Sequence, residues 1–280
     1  MRRIPTLRGD SMRIGNQNFD QKDHTYVMGI LNVTPDSFSD GGHYNQIDAA
    51  LYHAEEMIKA GAALIDVGGE STRPGYTLIS DEEEMERTAP VIAKIKEHYD
   101  IPISLDTYKS QVAQAGIEAG ADLINDIWGL QYDERMGDVV SKNKIAYCLM
   151  HNRKEMLAQR DAASFIEEMQ EDIDRALAYN IAPEQIILDP GVGFAKSQED
   201  NLMTIANLDR MMELGYPVLL GTSRKSVINY VLQTPVDQRL EGTLATTAYA
   251  VMNHVPFVRV HDVLENVRMI QMMEAIAAHR

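Results

Sequence analysis

The sequence predicts an α/β protein, a closed (β/α)8 TIM barrel with its active site at the C-terminal ends of the strands. Three observations carry that prediction. Short apolar runs recur eight times, at Tyr26–Val33, Leu64–Gly68, Pro102–Asp106, Leu123–Ile127, Ile145–Met150, Ile186–Asp189, Pro217–Gly221 and Phe257–Val260. They are apolar on both faces, as parallel strands covered on both sides are. Helical periodicity fills most of the intervals, and strand–helix alternation repeated eight times in 280 residues means a closed barrel, with an open doubly wound sheet as the fallback. Finally, each run delivers a polar or charged residue to the same end.

The first 24 residues fall outside the alternation and are expected to form a small lid or hairpin over the barrel bottom. No linker or composition break divides the chain, so residues 1–280 are expected to form one domain. The first helix places Ile47, Leu51, Ala54 and Ile58 on one face and stops at Gly61. The second, Ser80–Tyr99, opens with Ser80 and Glu83 in capping-box spacing. Its acidic run, Asp81 and Glu82–Glu84, is expected to be a solvated helix start in the favourable field of the helix dipole rather than a metal site. Further helices are expected at Ser110–Ala119, Asp133–Ser141, Ala163–Tyr179, Gln198–Leu214 and Val263–Ala278. In the last, Met269, Met272 and Met273 suit core or interface packing.

Composition narrows the class of protein. The formal net charge is −16, which argues against non-specific attraction to nucleic acid or an anionic membrane. No run approaches the roughly 18 apolar residues of a membrane span. Arg2 and Arg3 lack an apolar stretch behind them, so a secretory signal is not expected. A single cysteine, Cys148, excludes an intrachain disulfide and a cysteine-built zinc site and fits a reducing compartment. The expectation is a soluble cytoplasmic protein.

In barrels of this type the chemistry sits in the loops after the strands. The runs end, in order, in Asn32; Asp66 followed by "GGESTRPG"; "DTYK" (Asp106–Lys109); Asn125 and Asp126; His151; "DPGVGF" (Asp189–Phe194); "GTSRKS" (Gly221–Ser226); and "RVHD" (Arg259–Asp262). Asp126 and Asp262 are assigned to capping of a turn or helix. So many polar groups on one rim is costly unless a ligand or water satisfies them. The set divides by charge. Asp106, Asn125 and Asp189 offer the acceptors and donor that suit a flat heterocycle with a guanidine-like edge, such as a pterin or purine. Lys225, Arg259 and His261 come from the last two strands, the quadrant that often holds phosphate in barrels. Lys225 as a Schiff-base lysine is the alternative, but Arg224 and Arg259 nearby fit anion binding equally. Together the two halves suggest transfer chemistry with a phosphorylated leaving group.

These motifs, "NVTPDSFSDGG", "GGESTRPG", "DTYK", "ND" with Gly129, "DPGVGF", "GTSRKS" and "RVHD", occur in an order that closely resembles the dihydropteroate synthase family of folate biosynthesis. The resemblance runs from Asn32 to Asp262. It implies condensation of 6-hydroxymethyl-7,8-dihydropterin diphosphate with p-aminobenzoate, with Mg2+ as cofactor and a homodimer. It further implies that Asp106, Asn125, Asp189 and Lys225 hold the pterin, and that Arg259 and His261 hold the diphosphate with Asn32 at the magnesium. Phe38, Thr72, Arg73, Pro74, Phe194 and Ser226 would shape the p-aminobenzoate pocket. Asp106, Asp189, Lys225 and Arg259 would be the catalytic groups. On this reading the loop after Asn32 closes over the site, with Pro35 limiting its freedom and Phe38 giving a dry wall. A pterin-binding methyltransferase barrel brings no diphosphate for Lys225, Arg259 and His261. A catalytically silent pterin binder would have favoured loss of Asn32, Lys225 or Arg259, and all are present.

Overall fold

A computed structural model of the chain describes residues 11–34, 43–70, 78–156 and 161–279. Eight parallel strands form one sheet: β3 (Tyr26–Asn32), β4 (Leu64–Gly68), β5 (Ile103–Asp106), β6 (Leu123–Asp126), β7 (Ala146–Met150), β8 (Ile186–Asp189), β9 (Leu219–Leu220) and β10 (Phe257–Val260). Their order is β8-β7-β6-β5-β4-β3-β10-β9. A parallel bridge between Leu188 and Val218 joins the two ends of that order and closes the barrel. The seventh strand is the shortest, two residues long, where the apolar run Pro217–Gly221 predicted five.

Strand parity decides what points into the barrel, because successive side chains face opposite sides. One set, Val27, Leu31, Ile65, Val67, Ile103, Leu105, Ile124, Tyr147, Leu149, Ile186, Leu188, Val258 and Val260, packs in the cluster shared with the surrounding helices. The other set, Met28, Leu64, Leu123, Ala146, Cys148, Ile187, Leu219 and Phe257, fills the barrel interior. That interior cluster is completed by Met12, Ile14 and Phe19 from a hairpin, β1 (Ser11–Ile14) and β2 (Gln17–Asp20), which plugs the N-terminal end. Its turn uses Gly15 at φ +59°, where an added Cβ would lie 2.4 Å from Asp122 Oδ1. Continuing the inward parity along the strands reaches polar residues: Asn32, Asp66, Asp106, Asn125, Asp189 and Arg259. The register agrees, since Asn32 lies beside Gly68, Gly68 beside Asp106 and Asp106 beside Asn125.

The helices are α1 (His43–Lys59), α2 (Asp81–His98), α3 (Ser110–Glu118), α4 (Met136–Asn143), α5 (Ala162–Ala178), α6 (Gln198–Ala206), α7 (Leu208–Met212), α8 (Ser226–Leu232), α9 (Leu240–Met252) and α10 (Val263–Ala277). Several differ from expectation. The helix expected over Gln198–Leu214 breaks at Asn207 into α6 and α7. α8 and α9 showed no readable periodicity: α9 is apolar around most of its circumference and carries Gly242, where a Cβ would meet Ile228 Cγ2 at 2.3 Å. At α2 only half of the capping box forms. Ser80 Oγ accepts from the Glu83 N–H, while the Glu83 carboxylate pairs with Arg87 instead of reaching back. The acidic run is not uniformly solvated either, because Glu84 is buried and pairs with Lys109 Nζ at 2.7 Å.

Candidate active site

The site is assembled at the C-terminal mouth by the last inward-facing residue of each strand. Arg259, from β10, is its centre. Its Nε donates to Asp66 Oδ2 at 2.6 Å and its Nη2 to Asp106 Oδ2 at 2.7 Å. Burial works against the guanidinium charge, but Asp66 and Asp106 more than offset it and its pKa is raised. Asp66 is fully buried one layer below the rim. Sequence reasoning gave it no role, although its position two residues before Gly68 carries the inward parity of the strand.

Three buried acceptors in this cluster, Asp66 Oδ1, Asp106 Oδ1 and Asn125 Oδ1, have no hydrogen-bond partner among the described residues. A buried acceptor left without a donor costs about 1–3 kcal/mol, so such atoms mark where a ligand or water belongs. Asp106 holds its proton unusually well. Burial raises its pKa most, the Arg259 charge opposes this and the neighbouring Asp66 adds to it, leaving the carboxyl at about 7. The Asp189 carboxyl is likewise raised by burial, against the pull of Lys225. Its Oδ1 accepts from the Gly191 N–H at 2.7 Å.

Lys225 stands opposite. Burial lowers its ammonium pKa to about 8, while Asp189 supports the charge. Its Nζ donates to Val192 O at 2.6 Å and lies 4.9 Å from the centroid of the Phe194 ring. Gly221 lies beside both groups, since a Cβ there would sit 3.8 Å from Asp189 Oδ2 and from Lys225 Nζ. His261 follows on the same side, with Nδ1 3.0 Å from Ser223 Oγ. Tyr108, Ile127 and Met150, with Trp128 and Phe194 against them, form an apolar wall of their own.

The structure therefore brings Asp106, Asn125, Asp189, Lys225 and Arg259 to one mouth, with Asn32, Phe194 and His261 at its edge. Ser226 is exposed in the first turn of α8, where its Oγ accepts from Gln198 Nε2 at 3.3 Å. Phe38, Thr72, Arg73 and Pro74 lie outside the described residues, as does Pro35. Asp126 holds a turn as expected, accepting from the N–H groups of Trp128 and Leu130 and from the Tyr147 hydroxyl. Asp262 does not cap α10 with its side chain. Its carboxylate is held by Arg224 at 2.5 and 3.0 Å, which also neutralises one of the cations counted toward anion binding. His151 is not a rim group: it is fully buried between Glu168 and Lys196.

For a magnesium ion the donor chemistry is suitable but incomplete. Asn32 Oδ1 and the Asp106 carboxylate flank Gly68, where a Cβ would come within 3.6–3.8 Å of both side chains. These are hard oxygen donors of the kind Mg2+ takes together with substrate phosphates and water. Among the described residues no group of three His, Cys, Asp or Glu forms a cage for a metal.

The family model for pterin binding enzymes matches residues 28–261. The chain belongs to the pterin binding enzyme family. It is 53% identical over 266 residues to the dihydropteroate synthase of Clostridium beijerinckii, covering 95% of this chain and 99% of that one. The structure resembles that of Clostridium difficile dihydropteroate synthase in the presence of pteroic acid, with a TM-score of 0.88, 47% identity and coverage of 92% and 98%. It also resembles Xanthomonas albilineans dihydropteroate synthase with 4-aminobenzoic acid, with a TM-score of 0.90, 37% identity and coverage of 96% and 98%. The rim described above falls inside the matched segment, apart from residues beyond His261. No helix among the described residues is long and apolar enough to cross a membrane.

Proposed function

We propose that the chain is a dihydropteroate synthase, a transferase of folate biosynthesis. It joins the methylene carbon of 6-hydroxymethyl-7,8-dihydropterin diphosphate to the amine of p-aminobenzoate and releases diphosphate. The observation that carries this reading is the pair of orphaned buried acceptors, Asp106 Oδ1 and Asn125 Oδ1, in a mouth that also holds Lys225, His261 and Arg259, the last bonded to the other oxygen of Asp106. A pterin ring offers N–H donors along one edge, which Asp106, Asn125 and Asp189 would accept. On the cationic side, Arg259 and His261 take the diphosphate. Asn32 would hold a magnesium ion entering with it, which when bound offsets the leaving group's charge.

Arylamines are weak nucleophiles, so a dissociative route suits the site. Breaking the methylene C–O bond sends its electron pair to the diphosphate oxygen and leaves a cation delocalised into the ring. Asp106 and Asp189, both buried where electrostatic interactions are strong, stabilise that cation. The amine nitrogen then donates its lone pair to the carbon and passes its extra proton to water, and no base is needed before attack. Phe194, carrying Lys225 against its face, closes one side of the benzoate position. Phe38, Thr72, Arg73, Pro74 and Ser226 would complete it.

The exposed apolar side chains of α9 and α10, among them Tyr249, Met252, Leu264, Met272 and Ile276, support a homodimer through that face. Cys148 is buried in the barrel interior with its thiol pKa pushed well up by burial, which fits a cytoplasmic enzyme without disulfides. The test of function is direct. Protein incubated with the dihydropterin diphosphate, p-aminobenzoate and Mg2+ should release dihydropteroate and diphosphate together, and Asp189→Ala should abolish both. Tight pterin binding with no turnover would point to a silent binder.

A further inference from the structure

Lys196 lies two residues beyond the "DPGVGF" stretch and is 95% buried. Its ammonium shares three N–H donors among four acceptors, three of them backbone carbonyls, Gly191 O at 3.0 Å, Phe194 O at 3.2 Å and His151 O at 3.2 Å. Its fourth neighbour is the ring nitrogen His151 Nδ1, at 2.9 Å. Burying a lysine among carbonyls is costly unless every donor is used. Here the partners come from two loops, the one after β7 and the one after β8.

His151 completes the unit. Its Nε2 is 2.8 Å from Glu168 Oε2, and burial lowers its pKa to about 4, so the ring is neutral. A lysine donor at Nδ1 leaves the proton on Nε2, where Glu168 accepts it. The His151 N–H donates to Asp189 O at 2.9 Å, so the same residue grips the end of β8.

We infer that Lys196 is a positioning residue for the pterin half of the site: it fixes the turn 190–194 so that the Gly191 N–H orients the Asp189 carboxylate and the Phe194 ring faces Lys225. The connection is short. Gly191 presents its carbonyl to Lys196 and its N–H to Asp189 Oδ1, at 3.0 and 2.7 Å. Its φ of +65° and the absence of a side chain are required, because a Cβ would lie 2.0 Å from His151 O. Val192 O is taken by Lys225 and the Gly193 N–H by Asn201 Oδ1, so the turn is held from both sides. Without Lys196, Phe194 O loses its lysine donor and Gly191 O keeps only the Phe194 N–H at 3.1 Å, so the turn that holds Asp189 is less tightly constrained.

This inference rests on Asp189 belonging to a pterin site. The test uses the full chain and two probes that engage different halves of the mouth, pteroic acid and inorganic diphosphate. Calorimetry on Lys196→Met should show pteroic acid affinity reduced about 10- to 100-fold, the size of effect expected when a binding group is displaced by about 1 Å. Diphosphate affinity should stay within about twofold of wild type, whereas general loosening of the barrel would weaken both probes. Hydrogen exchange of the amides at 191–194 should accelerate in the same variant. Should Lys196→Met fail to fold, Lys196→Gln keeps N–H donors without the charge and should give a smaller loss of the same selectivity. Unchanged pteroic acid affinity, or equal loss for both probes, would overturn the role of Lys196. Failure of the wild-type protein to bind pteroic acid would instead sink the pterin-site reading on which it rests.

Discussion

Replacing Asp106 by Asn tests the electrostatics of the mouth, because it removes one ionisation and changes little else. In the fold the Asp106 carboxyl is pushed from 3.8 up to about 7, chiefly by burial. Between those two pH values the folded protein therefore binds more protons than the unfolded chain, and stability falls as pH rises. The whole interval corresponds to about 4 kcal/mol against the ionised form at high pH. At pH 5 the neutral carboxyl and the neutral amide are near equals, and Arg259 keeps Asp66 at 2.6 Å in both proteins. Urea unfolding at pH 5, 6, 7 and 8 should thus find Asp106→Asn gaining on wild type by about 2–3 kcal/mol across the series, the rest of the interval lying below pH 5. The same variant should bind pteroic acid roughly 10- to 150-fold more weakly, the loss of one charge-assisted hydrogen bond. A stability difference that is flat from pH 5 to 8 would show that Asp106 is ionised throughout, and the reasoning would be refuted.

Lys225, with its pKa lowered to about 8, should impose a fall in kcat/KM of about tenfold per pH unit above that value. Lys225→Arg should have lower activity but no such alkaline limb, since a guanidinium does not titrate there; pH–rate profiles of the two proteins decide it. Gly191→Ala must place a Cβ 2.0 Å from His151 O at a φ of +65°, so thermal unfolding should report a loss of roughly 2–4 kcal/mol. Tyr147→Phe removes the 2.7 Å hydrogen bond to Asp126 on the outer face of β7. It should cost about 1 kcal/mol in unfolding experiments and leave both KM values unchanged.

Much of this architecture is legible in the sequence because strand parity and chain order are local. Once the eight apolar runs are placed, their last inward positions are fixed, and Asp106, Asn125, Asp189 and Arg259 meet without further assumption. The segment before the first barrel strand was expected as a lid or hairpin over the barrel bottom, and residues 11–20 form such a hairpin. Its role comes from Met12, Ile14 and Phe19 completing the inner layer, a long-range fit that no local pattern encodes. Asp66 stood among the strand-end residues but received no role, because its partner Arg259 lies 193 residues further along the chain and only the closed barrel brings the two together. Lys196 gave no signal at all, since its partners are backbone carbonyls and a neutral imidazole from another loop. Glu84 looked like part of a solvated acidic start, yet one helical position decides between water and the buried Lys109. The α8–α9 segment was missed because a helix apolar on most sides has no face to read.

The division of the mouth into an acceptor half and a cationic half is tested most directly by one crossed binding experiment. Affinities for pteroic acid and for inorganic diphosphate would be measured on wild type, Asn125→Ala and His261→Ala. Asn125→Ala should weaken pteroic acid by about 1–3 kcal/mol and leave diphosphate alone, while His261→Ala should do the reverse. If both variants weaken both ligands equally, the two halves are not separate and the proposed division of labour is wrong.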